Sequence, residues 1–145
     1  MTFAGASIET TRWQEVSSLE ELEDAASKVG LPAILKTAKF GYDGHGQIKI
    51  LSRDALASAW KSVGEQRSIL EAFVDFEREL SIVAARAKGG QMSFYPLVEN
   101  QHTEDHILSK TLAPAPKTTP ALAAQAVKIA KRIAESLDYV GVFAV

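Results

Sequence analysis

The sequence predicts an α+β fold in which antiparallel β-sheets are covered by helices. Two hairpin signals indicate the antiparallel pairing. A glycine-rich loop separates residues 32–37 from residues 47–51, and Gly89-Gly90 separates two further apolar runs. Apolar residues at helical spacing elsewhere in the chain indicate amphipathic helices. Because hairpin strands pair with their immediate neighbours, the helices are expected to cover one face of the sheets.

The first helix is predicted to begin after Ser18, where the run Ser-Leu-Glu-Glu forms a capping box. The Ser18 hydroxyl can accept a hydrogen bond from the amide three residues on, and Glu21 can reach back towards the start of the helix. We expect the helix to run to about Val29, since Gly30 can adopt the left-handed conformation that ends helices.

A β-hairpin is predicted to follow this helix. Residues 32–37 (PAILKT) are short and apolar and follow turn residues, which is typical of a buried strand. The glycine-rich loop covers residues 41–46, and residues 47–51 alternate between polar and apolar side chains as a return strand does.

Beyond the hairpin, the pattern predicts two helices and a longer antiparallel meander. The earlier helix covers about residues 53–63, is capped by Ser52 and is closed by Gly64. Strands are predicted at residues 68–74, 78–88, 91–98, 106–112 and 139–145. The later helix has apolar residues at helical spacing: Leu122, Ala126, Ile129, Ala130, Ile133 and Leu137. We therefore predict two lobes, residues 1–70 and 71–145, with a ligand cleft where the chain crosses between them.

Composition narrows the function classes. Apolar residues make up 46% of the 145 residues and charged residues 23%, the balance of a soluble globular protein. Lysine and arginine are spread along the chain and the net charge is -2, which gives no support for nucleic-acid binding. No apolar run approaches the roughly 20 residues that span a bilayer. The absence of cysteine excludes disulfides and thiolate chemistry and suits a cytoplasmic protein. Trp13 and Trp60 are expected to pack against the core.

A series of short segments, taken in order, is more specific than this pattern. They are LKT at 35–37, GYDGHGQ at 41–47, EAFV at 71–74, RELS at 78–81, YPLVEN at 95–100 followed by His102, APA at 113–115 and YVGV at 139–142. In this order they resemble the carboxyaminoimidazole ribonucleotide synthases, the ATPase subunits of phosphoribosylaminoimidazole carboxylase, within the ATP-grasp superfamily. The resemblance covers nearly the whole chain from Ser18 onwards. It implies an ATP-grasp fold with two lobes, truncated at the last strand.

Several of these residues also suggest a site by their own chemistry. Lys36 lies in a strand that looks buried, where an ammonium group needs water or a partner such as a phosphate. Glycines in the following loop let backbone amides approach an anion closely. Taken alone, Lys36 could instead reach solvent at the strand edge, and the loop could be an ordinary hairpin turn. The carboxylates of Glu71 and Glu79 accept strongly from amines and hydroxyls, although on a strand they could simply be solvated.

The resemblance gives these residues roles. It implies that Lys36 and the loop bind the ATP phosphates, that the segment 71–74 holds adenine, and that Glu79 takes the ribose hydroxyls. Tyr42 and Asp43 would also face the ribonucleotide substrate, and His45 stands where the family usually has Lys or Arg. The residues predicted to bind ATP are Lys36, Gly41, Tyr42, Asp43, Gly44, His45, Gly46, Gln47, Glu71, Ala72, Phe73, Val74, Glu79 and His102.

The implied activity is that of an ATP-dependent carbon–nitrogen ligase of purine biosynthesis. ATP and bicarbonate would form carboxyphosphate, and the carboxyl group would pass to the amine of aminoimidazole ribonucleotide. The family is expected to act as a cytoplasmic homodimer and to use Mg²⁺, whose carboxylate ligands we expect beyond Val145. We therefore predict no catalytic or metal-binding residue within these 145 residues, and no turnover by them alone. The alternatives are another ATP-grasp ligase, such as a biotin carboxylase or a formyl-phosphate-using purine enzyme, or a nucleotide-binding module without turnover.

Overall fold

The computed structural model describes residues 8–39, 46–103 and 107–145. Within these ranges the chain divides into two compact units. Residues 10–39 and 46–75 form the first unit, and residues 76–103 and 108–145 form the second. The predicted boundary followed residue 70, whereas the contacts assign residues 71–75 to the first unit, because the last strand of that unit runs on to Ala72. Among the described helices, none has the length and apolar character needed to cross a membrane.

The described residues contain three α-helices and ten strands, so the predicted α+β class is confirmed. The helices are α1 (Leu19–Val29), α2 (Leu56–Ser62) and α3 (Pro120–Ser136). The strands are β1 (Trp13–Val16), β2 (Ala33–Thr37), β3 (Gln47–Ile50), β4 (Ser68–Ala72), β5 (Glu79–Ser81), β6 (Val83–Arg86), β7 (Met92–Phe94), β8 (Val98–His102), β9 (Leu108–Leu112) and β10 (Gly141–Ala144).

The first unit is a four-stranded antiparallel sheet with α1 and α2 on one face. The strand order is β1-β4-β2-β3, and the predicted hairpin is the β2–β3 pair. The helices pack on the face that carries every second residue of β2 and β4, since these side chains belong to one buried cluster. That cluster contains Val16, Leu22, Ala25, Ala26, Val29, Ala33, Leu35, Ile50, Leu56, Ala59, Trp60, Val63 and Leu70.

The predicted cap of α1 by Ser18 is confirmed, and Glu21 reaches back as expected but to the amide one residue before the cap. The Ser18 hydroxyl accepts a hydrogen bond of 3.1 Å from the Glu21 amide, and the Glu21 carboxylate accepts one of 2.7 Å from the Ser17 amide. These bonds satisfy donors that have no partner inside the helix. At the other end the helix stops at Gly30 as predicted, but with φ 89° and ψ 166°, a region that favours glycine and is not the predicted left-handed helical conformation.

The predicted start of the second helix is wrong. Residues Arg53–Ala55 form a 3₁₀ turn, and α2 begins only at Leu56. The Ser52 side chain makes no capping hydrogen bond; instead its carbonyl accepts from the Ala55 amide at 3.2 Å, the i to i+3 bond of a 3₁₀ turn. Because residues 53–55 adopt this tighter turn, α2 is shorter than the pattern predicted.

The second unit has two three-stranded antiparallel sheets and the long helix α3. One sheet has the order β5-β8-β9 and the other β10-β6-β7. The predicted hairpin at Gly89-Gly90 is confirmed, because β6 and β7 pair on either side of it and Gly90 has φ 84°. The core of this unit joins residues from α3 to both sheets: Ile82, Leu97, Ala115 and Ala130, with Leu80, Phe94, Leu122, Ala126, Val127 and Phe143 packed against them.

Two segments predicted as single strands, residues 78–88 and 91–98, are each divided between the two sheets. The first breaks at Ile82, which exchanges two backbone hydrogen bonds with Val145, at 2.8 and 3.0 Å. The second breaks at residues 95–97, where Pro96 has no amide hydrogen to continue a ladder. Both runs are rich in apolar residues across the break, so the pattern could not show the change of sheet.

Candidate functional site

The sheet of the first unit has one face buried under helices and one open face, and alternation along each strand assigns the side chains to them. In β2, Leu35 is fully buried whereas Lys36 is partly exposed. In β4, Leu70 is fully buried whereas Ile69 and Glu71 are partly exposed. Lys36 and Glu71 therefore lie on the open face. The strand that carries Lys36 is buried on its other face, as predicted, but the Lys36 side chain itself is partly exposed.

Strand register arranges the open face into two rows across the sheet. One row consists of Trp13, Glu71, Ile34 and Lys49, and the next consists of Glu15, Ile69, Lys36 and Gln47. Residues directly opposite one another in antiparallel strands share a face, so each row is a line of neighbouring side chains. The two rows place cationic, anionic, apolar and aromatic side chains on one surface.

Lys36 and Glu71 form an ion pair at the centre of this face. They are diagonal neighbours on β2 and β4, since Lys36 is opposite Ile69 and Ile34 is opposite Glu71. The Lys36 Nζ lies 2.6 Å from the Glu71 Oε2, and the side chains are 44% and 29% exposed. Two predicted site residues, 35 positions apart in sequence, are thus in direct contact and remain partly exposed.

The segment that follows β4 is held by backbone hydrogen bonds. The Ala72 amide donates to the Arg12 carbonyl at 2.8 Å, and the Phe73 amide donates to the Pro32 carbonyl at 3.1 Å. The Phe73 ring lies under the ammonium of Lys49, with the Nζ 3.4 Å from the ring centroid, a cation–π contact. Val74, the next residue, is exposed.

Most of the predicted phosphate loop lies outside the described residues: Gly41, Tyr42, Asp43, Gly44 and His45. Gly46, the last residue of this loop, and Gln47, the first residue of β3, are described. The Gly46 carbonyl accepts from the Thr37 amide at 2.8 Å, and Gly46 has φ 79°, which favours glycine. Gln47 is directly opposite Lys36 in the β2–β3 pair, so these two described residues lie beside the ion pair.

In the second unit, the structure brings Glu79 and His102 together. Glu79 is opposite Asn100 in the β5–β8 pair, and His102 follows two residues further along β8. The His102 Nδ1 lies 2.7 Å from the Glu79 Oε2. The Asn100 side chain is fixed by donating to the Ser81 hydroxyl at 2.6 Å and accepting from the Thr111 hydroxyl at 3.2 Å.

The open face also contains residues that sequence reasoning missed. Trp60 is 6% exposed in the core as predicted, but Trp13 is 37% exposed on the open face, and its predicted packing against the core is wrong. Alternation from the buried Val16 would have placed Trp13 on the opposite face, had β1 been recognised as a strand. On the same strand Glu15 pairs with Arg67, and the hydrogen bond from Arg67 holds the pKa of the Glu15 carboxyl below its ordinary value.

Comparison with known proteins gives a consistent set of likenesses. The sequence profile of the ATP-grasp domain matches residues 1–145. The N5-carboxyaminoimidazole ribonucleotide synthase of Pseudomonas aeruginosa is 43% identical over 143 residues, covering 98% of this chain and 38% of that protein. The chain thus spans well under half the length of such relatives.

Two solved structures are similar over nearly all of the chain. The N5-carboxyaminoimidazole ribonucleotide synthetase of Thermus thermophilus has a TM-score of 0.88 and 42% identity, covering 98% of this chain and 38% of that one. The carboxyaminoimidazole ribonucleotide synthase of Aspergillus clavatus, in complex with ATP, has a TM-score of 0.90 and 26% identity, covering 99% of this chain and 37% of that one.

Proposed function

The chain belongs to the ATP-grasp family, and we propose that it is the ATP-binding part of a ligase. Membership of this family also confirms the predicted ATP-grasp fold. The whole ligase would use ATP and bicarbonate to carboxylate the amine of aminoimidazole ribonucleotide in purine biosynthesis. Support comes from relatives that carry the synthase name, one of them solved in complex with ATP. Because the chain spans 38% of such a relative, turnover is assigned to the whole ligase and not to these residues alone.

The observation that carries the proposal is the Lys36–Glu71 pair on the open face. An ammonium group is a suitable partner for a phosphate, and a carboxylate is a suitable acceptor for the exocyclic amine of adenine. Both groups are partly exposed, and Ile34 and Ile69 lie beside them in the same two rows. A face with apolar side chains and a few convergent polar groups is typical of a site for a nucleotide base.

Backbone hydrogen bonds of residues 71–74, the predicted adenine segment, narrow the choice of base contacts. The amides of Ala72 and Phe73 already donate to backbone carbonyls of the same unit. We therefore assign recognition of the ring edge to the backbone of Val74, with Glu71 accepting from the amine. Phe73 would contribute indirectly, through the contact between its ring and Lys49.

The remaining predicted contacts are proposed from the resemblance. Glu79 would accept from the ribose hydroxyls, and the contact with His102 would hold its carboxylate in place. The loop residues 41–45 would close over the phosphates, followed by Gly46 and Gln47. Bicarbonate as carboxyl source, a homodimeric ligase and a cytoplasmic location are likewise inferred from the resemblance.

Magnesium is expected with ATP in this reaction, where it would neutralise phosphate charge. The described residues do not supply a site for it, since no three His, Asp or Glu side chains among them are grouped as metal ligands would be. The Lys36–Glu71 pair is also not a metal site, because one partner is a cation. The proposal therefore assigns nucleotide binding to this chain and no step to a metal.

Calorimetric titration of the 145-residue chain with ATP tests the assignment. We expect measurable binding that Lys36→Met weakens by roughly 10- to 100-fold, the effect of losing a charge-assisted hydrogen bond. Lys28→Met is the matched control, because Lys28 forms a 2.6 Å pair with Asp24 on an exposed part of α1. No binding at millimolar ATP, or equal losses in both variants, would contradict the proposal.

The acceptor is tested separately, on the whole ligase. We expect ADP formation to depend on both bicarbonate and aminoimidazole ribonucleotide. Dependence on a different acceptor amine would instead indicate another ATP-grasp ligase, with ATP binding retained.

A further inference from the structure

We propose that Glu71 makes Lys36 selective for phosphates that carry an adenine base, by repelling phosphates that do not. The inference rests on the proposed function, since it requires that phosphate binds at Lys36. It assigns Glu71 a role towards the phosphate end of the ligand, in addition to any contact with the base. The ligands it would exclude are inorganic pyrophosphate and tripolyphosphate.

The two charges lie within hydrogen-bond distance of each other. The Glu71 Oε2 is 2.6 Å from the Lys36 Nζ. A phosphate oxygen bonded to the same nitrogen at ordinary hydrogen-bond length would lie about 4–5 Å from that carboxylate. Lysine has three donors, so the two acceptors can coexist, but two anions at this distance repel each other.

A base can offset this repulsion, whereas an inorganic phosphate cannot. An adenine amine donates a hydrogen bond to a carboxylate, and such charge-assisted bonds are stronger than neutral ones. For ATP, the carboxylate therefore repels one end of the ligand and binds the other. For tripolyphosphate the repulsion is uncompensated.

Other charged side chains described on the same face are engaged elsewhere. Glu15 pairs with Arg67, and the Lys49 ammonium lies over the Phe73 ring. Among the residues that the structure describes on this face, Glu71 is the carboxylate in contact with Lys36. The selectivity is therefore assigned to one side chain.

The test compares the affinities of ATP and tripolyphosphate for the unaltered chain and for Glu71→Gln, by calorimetry at 0.15 M salt. The amide side chain of this variant would keep an acceptor for the amine and remove the charge. We expect tripolyphosphate to bind about 5- to 20-fold more tightly to this variant, near the weak end of Coulomb's law because the site is partly exposed. For ATP the variant loses the charge-assisted bond to the amine as well as the repulsion, and these two effects oppose each other. ATP should therefore gain less affinity than tripolyphosphate, so the preference for ATP over tripolyphosphate falls.

Glu15→Gln is the matched control. It removes the same charge from the same face, but Glu15 is separated from Lys36 by Ile69, roughly 10 Å or two strand spacings away. At 0.15 M salt this exceeds the screening length of about 8 Å. A gain in tripolyphosphate affinity equal to that of Glu71→Gln would show that the net charge of the face matters and the pair does not.

A second variant and a measurement without any variant keep the inference testable if Glu71→Gln folds poorly. Glu71→Asp retains the charge and should keep tripolyphosphate binding weak. On the unaltered chain, saturating adenosine should tighten tripolyphosphate binding, and tripolyphosphate should tighten adenosine binding by the same factor. Independent or antagonistic binding would overturn the inference.

The outcomes separate the two proposals. If the unaltered chain does not bind ATP, the proposed function fails and this inference fails with it. If ATP binds but Glu71→Gln leaves tripolyphosphate binding unchanged, the inference alone is overturned. Weaker tripolyphosphate binding in that variant also overturns it, because Glu71 would then act by holding Lys36 in position.

Discussion

Two neighbouring residues of β2 should differ in what their replacement changes. Replacing Leu35 should lower the stability of the unit, whereas replacing Lys36 should weaken ATP binding with little loss of stability. Leu35 is fully buried in the core beneath the helices, whereas Lys36 is partly exposed on the open face. Leu35→Ala leaves a cavity and should lower the free energy of unfolding by about 2–5 kcal/mol. Lys36→Met removes a partly exposed ion pair, and such pairs contribute about 0–1 kcal/mol.

The free energy of unfolding is measured by urea titration followed by tryptophan fluorescence. Both tryptophans lie in the first unit, and Trp60 belongs to the same buried cluster as Leu35. A loss of about 2–5 kcal/mol is a large fraction of the roughly 5–15 kcal/mol that stabilises a typical domain, so Leu35→Ala should shift the transition strongly.

The unfolding of either variant could contradict the assignment of Leu35 and Lys36 to opposite faces of the sheet. If Lys36→Met destabilised the unit as much as Leu35→Ala, Lys36 would be part of the core and not of a site. An unchanged transition for Leu35→Ala would equally contradict the packing of the helices on that side of β2.

Three further predictions concern single side chains of the first unit. Ser18→Ala should destabilise the unit by about 0.5–2 kcal/mol in urea titrations, because its capping bond is lost, whereas Ser52→Ala should have little effect since it makes none. NMR titration should show the Glu15 carboxyl with a pKa below its ordinary value of 4.5, restored in Arg67→Gln. The stabilisation from this pair should be complete above that ordinary value and should fade as the pH falls through the lowered one. Acrylamide should quench fluorescence readily in the unaltered chain but weakly in Trp13→Phe, where only the buried tryptophan of α2 remains.

Much of the local structure followed from short-range patterns. The capping bonds of Ser18 and Glu21, the helix end at Gly30 and the hairpin at Gly89-Gly90 depend on residues within a few positions of one another. Such features are set by backbone geometry and local hydrogen bonds, so the sequence alone is sufficient to predict them. The resemblance to a family added the predicted site residues, each taken from its own segment.

The tertiary structure decided what depends on distant partners. Trp13 lies on the open face because β1 pairs with β4, and residues near Ile82 change sheets because Val145 pairs with that residue. Most importantly, the register of β2 against β4 brings the ammonium of Lys36 within 2.6 Å of the Glu71 carboxylate. The sequence determined which side chains carry the charges, but strand register is set by the burial of one whole face of the sheet, which no local segment specifies.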